Sequence, residues 1–434
     1  MQTLKPFQVV VMVIFGLVAL LGLFLFANFQ GFAGGVKPLG PVTIWGTIPA
    51  GPIQKVLADM RQGHPELAQV TYVQRPGETF SADLAEAVAS GRSPDLLLIS
   101  QEELLSMQNK ISLIPSSTIS ERTFRDTYLP IDELFLAPGG TYGIPFTVDP
   151  FMMYYSRPVL ADAGVAIAPS TWEAVTGLAS SLNKESQGQS LTKSLIALGT
   201  YENVENARAA LSLLFLQSGY SLTARTANGM RTTLNDPSKD VYGSSPAESA
   251  LNFYTEFANP GKTVYSWNRS LPNSRQAFLA GDLALYLGFA SERAELAEAN
   301  PNLDFDMAAV PVPSTATLRV TYGRAYAFAI PKSSPNGNGA YRAAMSLTSK
   351  DTLPGLAHGL GMAPAQRALL APVKDDIYEP VYFPQALIAK GWLSPAPAIT
   401  DRILGTMVGN VISGSQTVRE ALSSADQSLN ASLK

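Results

Sequence analysis

The stretch YGIPFTVDPFMMYYSR, Tyr142 to Arg157, constrains the fold of this chain more than any other. Gly143 and Pro145 punctuate its start. Asp149-Pro150 forces an extended or turn geometry at its middle, because the residue before a proline is pushed out of the helical region. The run Phe151 to Tyr155 is apolar and aromatic, which suits a pleated strand and leaves no room for a helix. The pattern predicts strand, break, strand, which is what a chain needs to leave one lobe and enter another. A hinge crossing with a solute beside it is the expectation.

The rest of the chain is large enough for two lobes. It has 434 residues, 46% hydrophobic and 15% charged, sufficient for two ordinary cores. With 31 basic and 35 acidic residues there is no basic excess to neutralise phosphates, so nucleic acid is not an expected partner. Cysteine is absent, which excludes disulfides, thiolate metal sites, a Cys nucleophile and a lipid-modified N-terminal Cys. After Lys5, residues Phe7 to Phe26 are apolar except Gln8, close to the roughly 20 residues a membrane-spanning helix needs. An uncleaved anchor over residues 1–33 is expected, with cleavage after Gly31-Phe32-Ala33 as the alternative. Lys5 and the terminal amine put the N-terminus in the cytoplasm and the body outside. Residues 34–41, ending in Pro38 and Pro41, read as a linker.

Beyond the linker, strand and helix patterns alternate. VTIWG (Val42 to Gly46), a helix from Ile53 to Arg61 and a strand from Val70 to Val73 predict a parallel unit. Phe80 to Ala89 reads as a helix with Phe80, Leu84 and Val88 on one face. Leu96 to Ile99 is apolar on both faces, as in a covered parallel strand. Ligands in open α/β sheets sit at such carboxyl ends, here Trp45 to Ala50 and Ser100 to Glu103. Ser170 to Glu173, Ser245 to Glu248 and Thr417 to Glu420 all have capping-box spacing. FLAGDLALYL reads as helix, turn, strand. Met307 to Pro313 and Val320 to Ile330 read as strands, Ala340 to Thr348 as a helix, and the tail from Thr400 as helical.

In that order, VTIWG, SGRSPDLLLIS, YGIPFTVDPFMMYYSRPVLADAGV, APSTWEAV, AFLAGDLALYL and SGSQTVREAL resemble the extracellular solute-binding proteins of ABC importers, in the group of maltose-binding protein. The resemblance implies an α/β, two-lobed periplasmic-binding-protein-like fold (type II), here behind an N-terminal transmembrane helix. It implies three crossings, near Thr147–Pro150, near Ala309–Pro313 and near Thr348–Leu353. The first lobe would be 40–148 plus 313–347 and the second 149–312 plus 348–434. The sequence departs from the maltose-type pattern where sugar contacts are expected. The first loop is TIPAGP rather than an Asp-Lys pair, Ile99 replaces an aromatic, and Ser291 stands where a Trp would, with Phe289 nearby. A maltodextrin ligand is therefore in doubt, and another sugar or small polar solute stays open.

Candidate ligand-binding residues are Trp45, Glu102, Asp149, Tyr154, Trp267, Phe289, Tyr322 and Arg324. Trp45 ends a strand and suits either the cleft or a core. Gln101, Glu102 and Glu103 open a helix, where the dipole alone favours carboxylates. Asp149 is charged inside an apolar strand and needs a partner, or else it only shapes the turn before Pro150. Tyr154 and Tyr155 face opposite sides, so only one can line a cleft. Arg324 lies between Tyr322 and Tyr326 and suits an anionic or hydroxyl-rich solute, or a surface pair. Trp267-Asn268-Arg269 suits stacking plus hydrogen bonding, or a core cap.

Enzymatic readings find no support. His64 and His358 have no second ligand at metal spacing, Asp375-Asp376 has no partner geometry, and there is no nucleophile elbow or phosphate loop. No cofactor and no metal is expected. The reading is a membrane-tethered, monomeric extracytoplasmic receptor that delivers a small polar solute, a sugar or oligosaccharide, to an ABC permease by hinge closure. The alternatives are a sensor or surface-assembly scaffold on the same fold, a surface hydrolase, and a structural membrane protein.

Overall fold

The computed structural model describes residues 39–185, 191–226, 229–236, 238 and 245–433. The expected membrane anchor lies outside the described residues, among which no helix is long and apolar enough to cross a membrane.

The elements that build the two halves follow in chain order: β1 (Val42–Gly46), α1 (Ala50–Met60), β2 (Val70–Gln74), α2 (Phe80–Ala89), β3 (Leu96–Ser100), α3 (Gln101–Met107), β4 (Ile144–Ser156), β5 (Leu191–Ile196), α4 (Ala207–Gln217), β6 (Leu283–Phe289), α5 (Glu292–Ala299), β7 (Phe305–Ala309), β8 (Thr321–Ala329), α6 (Gly337–Leu347), α7 (Leu353–Leu360), β9 (Ala363–Pro364), α8 (Glu379–Ile388), β10 (Ala389–Lys390), α9 (Pro397–Ile412) and α10 (Val418–Ser432). The strands join in the order β2-β1-β3-β8-β4-β6-β5, with β7 and β9 also on β4 and β10 on β8. β1 is parallel to both β2 and β3, as the strand–helix–strand spacing predicts.

β4 is one uninterrupted strand of 13 residues, where the sequence predicts two strands and a break. The reason lies in how its neighbours change. Residues Ile144 to Pro150 pair with β8, ending at Gly323 opposite Pro150. Phe151 to Tyr155 pair with β6, beginning at Phe289 opposite Phe151. Pro150 sits where the ladder changes partner, the one place in a strand where a missing N–H costs little. The Asp-Pro pair thus marks the crossing without breaking the strand.

Two further crossings differ from the expected positions. Val310, Val312, Val320 and Tyr322 pack in the same cluster as Phe151, Leu285 and Phe289, so the chain remains in the second half past Ala309–Pro313. Tyr326 and Phe328 pack instead with Val42, Ile44 and Leu98. The passage therefore lies within β8, around Gly323 and Arg324. Nor does the chain return near Thr348–Leu353. Leu353, Leu356 and Leu360 of α7 belong to the first-half cluster. A Cβ on Gly359 would lie 2.3 Å from Val56 of α1, so the two helices touch through that glycine. The chain returns through α8, which packs against β4 and β7, and Trp392 and α9 then enter the second-half core. Proline-bearing apolar runs look alike in sequence whichever neighbour they pair with.

Local signals fared unevenly. Thr417 and Glu420 form a reciprocal capping box. At the helix after Ser170 the cap is Thr171, and Glu173 turns away to accept from the backbone N–H of Ser314. Ser245 caps its helix, but Glu248 pairs with Arg419. On α2 the buried face is Phe80, Leu84 and Ala87, while Val88 is exposed.

Candidate functional site

The carboxyl end of β3 runs straight into α3, and this turn sets the first half of the site. The N–H and Oγ of Ser100 donate to Glu103 Oε2 at 2.7 and 3.0 Å, closing the helix start. Burial pushes the Glu103 carboxyl up, against the pull of the Ser100 N–H. Gln101 bridges α3 to β8, donating to the Gly323 carbonyl at 3.1 Å and accepting from the Ala325 N–H at 2.8 Å. With both neighbours spent on the scaffold, Glu102 faces the gap between the halves.

Glu102 meets cations from both sides. Arg208 Nη2, from α4 in the second half, donates to Glu102 Oε2 at 2.9 Å. The Nε of Arg324 in β8 lies 3.4 Å from the same oxygen, an ion-pair contact rather than an aligned hydrogen bond. The Tyr322 hydroxyl donates to Oε1. Burial alone would raise the Glu102 carboxyl, yet Arg208 and Arg324 outweigh it and hold it below the usual carboxylate range. Arg208 also donates to Asp401 Oδ2 at 2.6 Å and to the Pro397 carbonyl at 3.2 Å, and Tyr201 donates to Asp401 Oδ1 at 2.6 Å. One guanidinium thus ties α3 of the first half to α4 and α9 of the second.

Asp149 is fully sequestered at the crossing. Its carboxylate accepts from the Ser291 N–H at 3.1 Å and the Ser291 hydroxyl at 2.6 Å. Burial dominates and pushes it up to about 7, with the Ser291 hydrogen bonds pulling the other way. Glu292 is raised by burial too, though Tyr286, the Phe289 N–H and Asn206 all donate to it. The Arg324 guanidinium lies 4.0 Å over the Phe289 ring, so that aromatic face already carries a cation.

These groups border a cavity of about 370 Å³ between the halves, lined by Glu102, Asp149, Arg208, Phe289, Ser291 and Arg324 among others. The Nε atoms of Arg208 and Arg324 are buried with no hydrogen-bond acceptor among the described residues. A larger groove of about 810 Å³ also has walls from both halves, including Arg125, Glu133, Tyr220 and Lys390. None of the sequence-derived candidates lines it, and Arg125 is spent on Glu121 and Glu133. The smaller cavity, where buried charges converge, is the candidate site.

Of the eight residues singled out in the sequence, Glu102, Asp149, Phe289 and Arg324 come together here, with Tyr322 directly behind Glu102. Three do not. Trp45 is buried in a hydrophobic cluster with the Arg75 guanidinium 3.7 Å over its ring. Tyr154 is wholly buried and donates to the Phe289 carbonyl at 2.6 Å, while Tyr155 is only partly covered. Trp267 is 1% exposed and packed beside Ala277 and Phe278. Burying a large ring gains more than displaying it, so strand-end aromatics default to the core. Arg208, Asp401 and Glu292 were not singled out. Arg208 leaves a legible trace: it is the one charged residue of ARAALSLLFLQ, an otherwise apolar helix.

Among curated protein sequences, none matches the chain. Solved structures do. A cyclic alpha-maltosyl-1,6-maltose binding protein from Arthrobacter globiformis superposes with a TM-score of 0.71 at 17% identity, covering 91% of this chain and 100% of the other. The GacH receptor of Streptomyces glaucescens, solved unliganded and with acarbose, gives 0.70 at 16%, covering 91% and 98%. An ABC transporter solute-binding protein from Thermotoga lettingae, bound with alpha-D-tagatose, gives 0.67 at 18%, covering 91% and 100%. At such identities the likeness establishes the fold, and all three are binding proteins. The family-level match, over residues 49–352, agrees with the fold and with the charged interlobe cavity: this chain belongs to the bacterial extracellular solute-binding proteins.

Proposed function

We propose that the chain is a receptor for a small hydroxyl-rich solute, a sugar in preference to other polar molecules, captured between the lobes and passed to an ABC importer. The observation that carries this reading is the convergence of four charged side chains, Glu102, Asp149, Arg208 and Arg324, on a cavity of about 370 Å³. Carboxylate acceptors set beside guanidinium donors suit a solute whose hydroxyls both donate and accept. The volume is at the small end of ligand pockets, and of the aromatic residues described along the cavity Phe289 already carries the Arg324 guanidinium and Tyr326 is 7% exposed. A mono- or disaccharide fits this site better than a long glycan. The solved relatives bound with acarbose and tagatose add support for a carbohydrate.

Closure would follow because solute touching both Glu102 and Arg208 favours the closed form over the open one. The lobes are taken as the two packing units on either side of β4 and β8. The apolar N-terminal run would anchor the body on the extracytoplasmic side, raising its concentration near the permease. The test is a thermal-shift and calorimetric screen of mono- and disaccharides, organic acids and short peptides against the wild type and Glu102→Ala. Saturable binding of a sugar, lost in the variant, is expected. Binding only to acids or peptides would refute the carbohydrate assignment.

One observation favours a second reading. Arg208 joins Glu102 of the first half to Asp401 of the second by direct ion pairs. A sensor or assembly scaffold could use this latch directly. No small-molecule binding, together with capture of a protein partner that Arg208→Ala abolishes, would support it.

A further inference from the structure

The geometry points to a divalent-metal site, suited to zinc, formed by His358, Asp376 and Glu379 outside the solute cleft. In sequence neither histidine has a second ligand nearby; the fold supplies two. His358 lies in the last turn of α7, Asp376 in the following loop and Glu379 at the start of α8. His358 Nδ1 is 2.9 Å from Glu379 Oε1 and 3.7 Å from Asp376 Oδ2. All three ligand atoms lie within 4.8 Å of one another. With zinc–ligand bonds of about 2.0–2.2 Å, neighbouring ligands stand about 2.9 Å apart at a right angle and about 3.4 Å apart at the tetrahedral angle. The two imidazole separations bracket that range. A small rotation of the partly exposed Asp376 closes the remaining gap.

Each carboxylate is already oriented for the role. Asp376 spends Oδ1 on the Tyr378 and Glu379 N–H groups, at 2.7 and 2.8 Å, and turns Oδ2 to the imidazole. Glu379 spends Oε2 on the Val373 N–H and turns Oε1 the same way. Backbone donors that fix the second oxygen of a ligating carboxylate are the usual support behind a metal ligand. One imidazole and two carboxylates suit zinc better than calcium or magnesium, which take oxygen alone. Glu379 is buried while His358 is half-exposed, so the site opens to solvent on one side, where water would complete the coordination. The metal would staple α7, on the first-half core, to α8, which packs against β4.

The competing arrangement is a hydrogen-bonded His358–Glu379 pair with no metal. The test uses the full-length chain, purified with chelator and dialysed, then titrated by calorimetry with zinc, magnesium and calcium in parallel. Cobalt substitution is followed by visible absorption. One zinc per chain, a raised Tm, a cobalt spectrum of a low-coordinate N/O site and indifference to magnesium and calcium are expected. His358→Ala should weaken zinc binding by at least about a hundredfold, the upper end of what loss of a supporting partner causes. Asp376→Asn, a partly exposed position, should weaken it too while circular dichroism stays native. His64→Ala should leave it intact. Absence of stoichiometric zinc, or zinc that survives His358→Ala, would overturn the proposal.

Discussion

In the proposed reading, Arg208 is the residue on which closure turns. Removing it as Arg208→Met leaves Glu102 with Arg324 and the Tyr322 hydroxyl in the closed form, whereas in an open form water would solvate the carboxylate. Breaking a buried pair by deleting one partner costs about 3 kcal/mol at the lower end, and here the cost falls on closure rather than folding. Solute affinity should drop roughly a hundredfold while Tm without solute changes little, a contrast that calorimetry and thermal melts would register. Asp149 gives a pH signature. The folded protein keeps its proton up to about 7, while the unfolded chain releases it near 3.8. Stability contributed by the neutral carboxyl is therefore complete below the unfolded value and declines as pH rises towards 7. Asp149→Asn should remove that slope, so urea unfolding at about pH 5 and about pH 8 should find the variant gaining on wild type at the higher pH. Asp149 was legible in sequence because a charge amid apolar residues must find a partner, and Glu102 only as one of three polar residues opening the helix after Ser100. Trp45, Tyr154 and Trp267 misled because an aromatic at a strand end or in a loop satisfies a core as well as it satisfies a cleft.

At the scale of elements, the site rests on β4, β8 and the turn that follows β5. The β4 strand is held across the crossing by Tyr154, whose hydroxyl lies 2.6 Å from the Phe289 carbonyl and 3.2 Å from that of Ala290. Tyr154→Phe takes the hydroxyl donor from the Phe289 carbonyl, while Ala290 keeps the Arg293 N–H, and should cost about 1–3 kcal/mol in denaturant unfolding. After β5, Gly199 has φ +98°, and a Cβ there would lie 2.5 Å from the Ala258 nitrogen. Gly199→Ala should cost at least about 2 kcal/mol and displace the turn carrying Tyr201 and Asn206, with loss of solute binding alongside the lowered urea midpoint. The element order was readable because helical and strand periods differ and both recur. The crossings were not, since pairing partners are chosen by long-range packing: β8 passes between halves in mid-strand, and α7 stays on α1 through Gly359. Capping spacing was likewise only suggestive, because Glu173 and Glu248 found better partners elsewhere.

For the whole molecule, two packing units are joined through β4 and β8 and bridged by one guanidinium between two carboxylates. In the proposed reading such a latch biases the lobes without fixing them, because water can solvate each charge when the halves part. Small-angle X-ray scattering across a mono- and disaccharide panel, on wild type and Arg208→Met, tests this most directly. The account predicts a smaller radius of gyration for the wild type with its sugar, and a larger one for the variant, which sugar restores only at far higher concentration. A radius of gyration identical in both proteins, and unmoved by every sugar that binds, would contradict it.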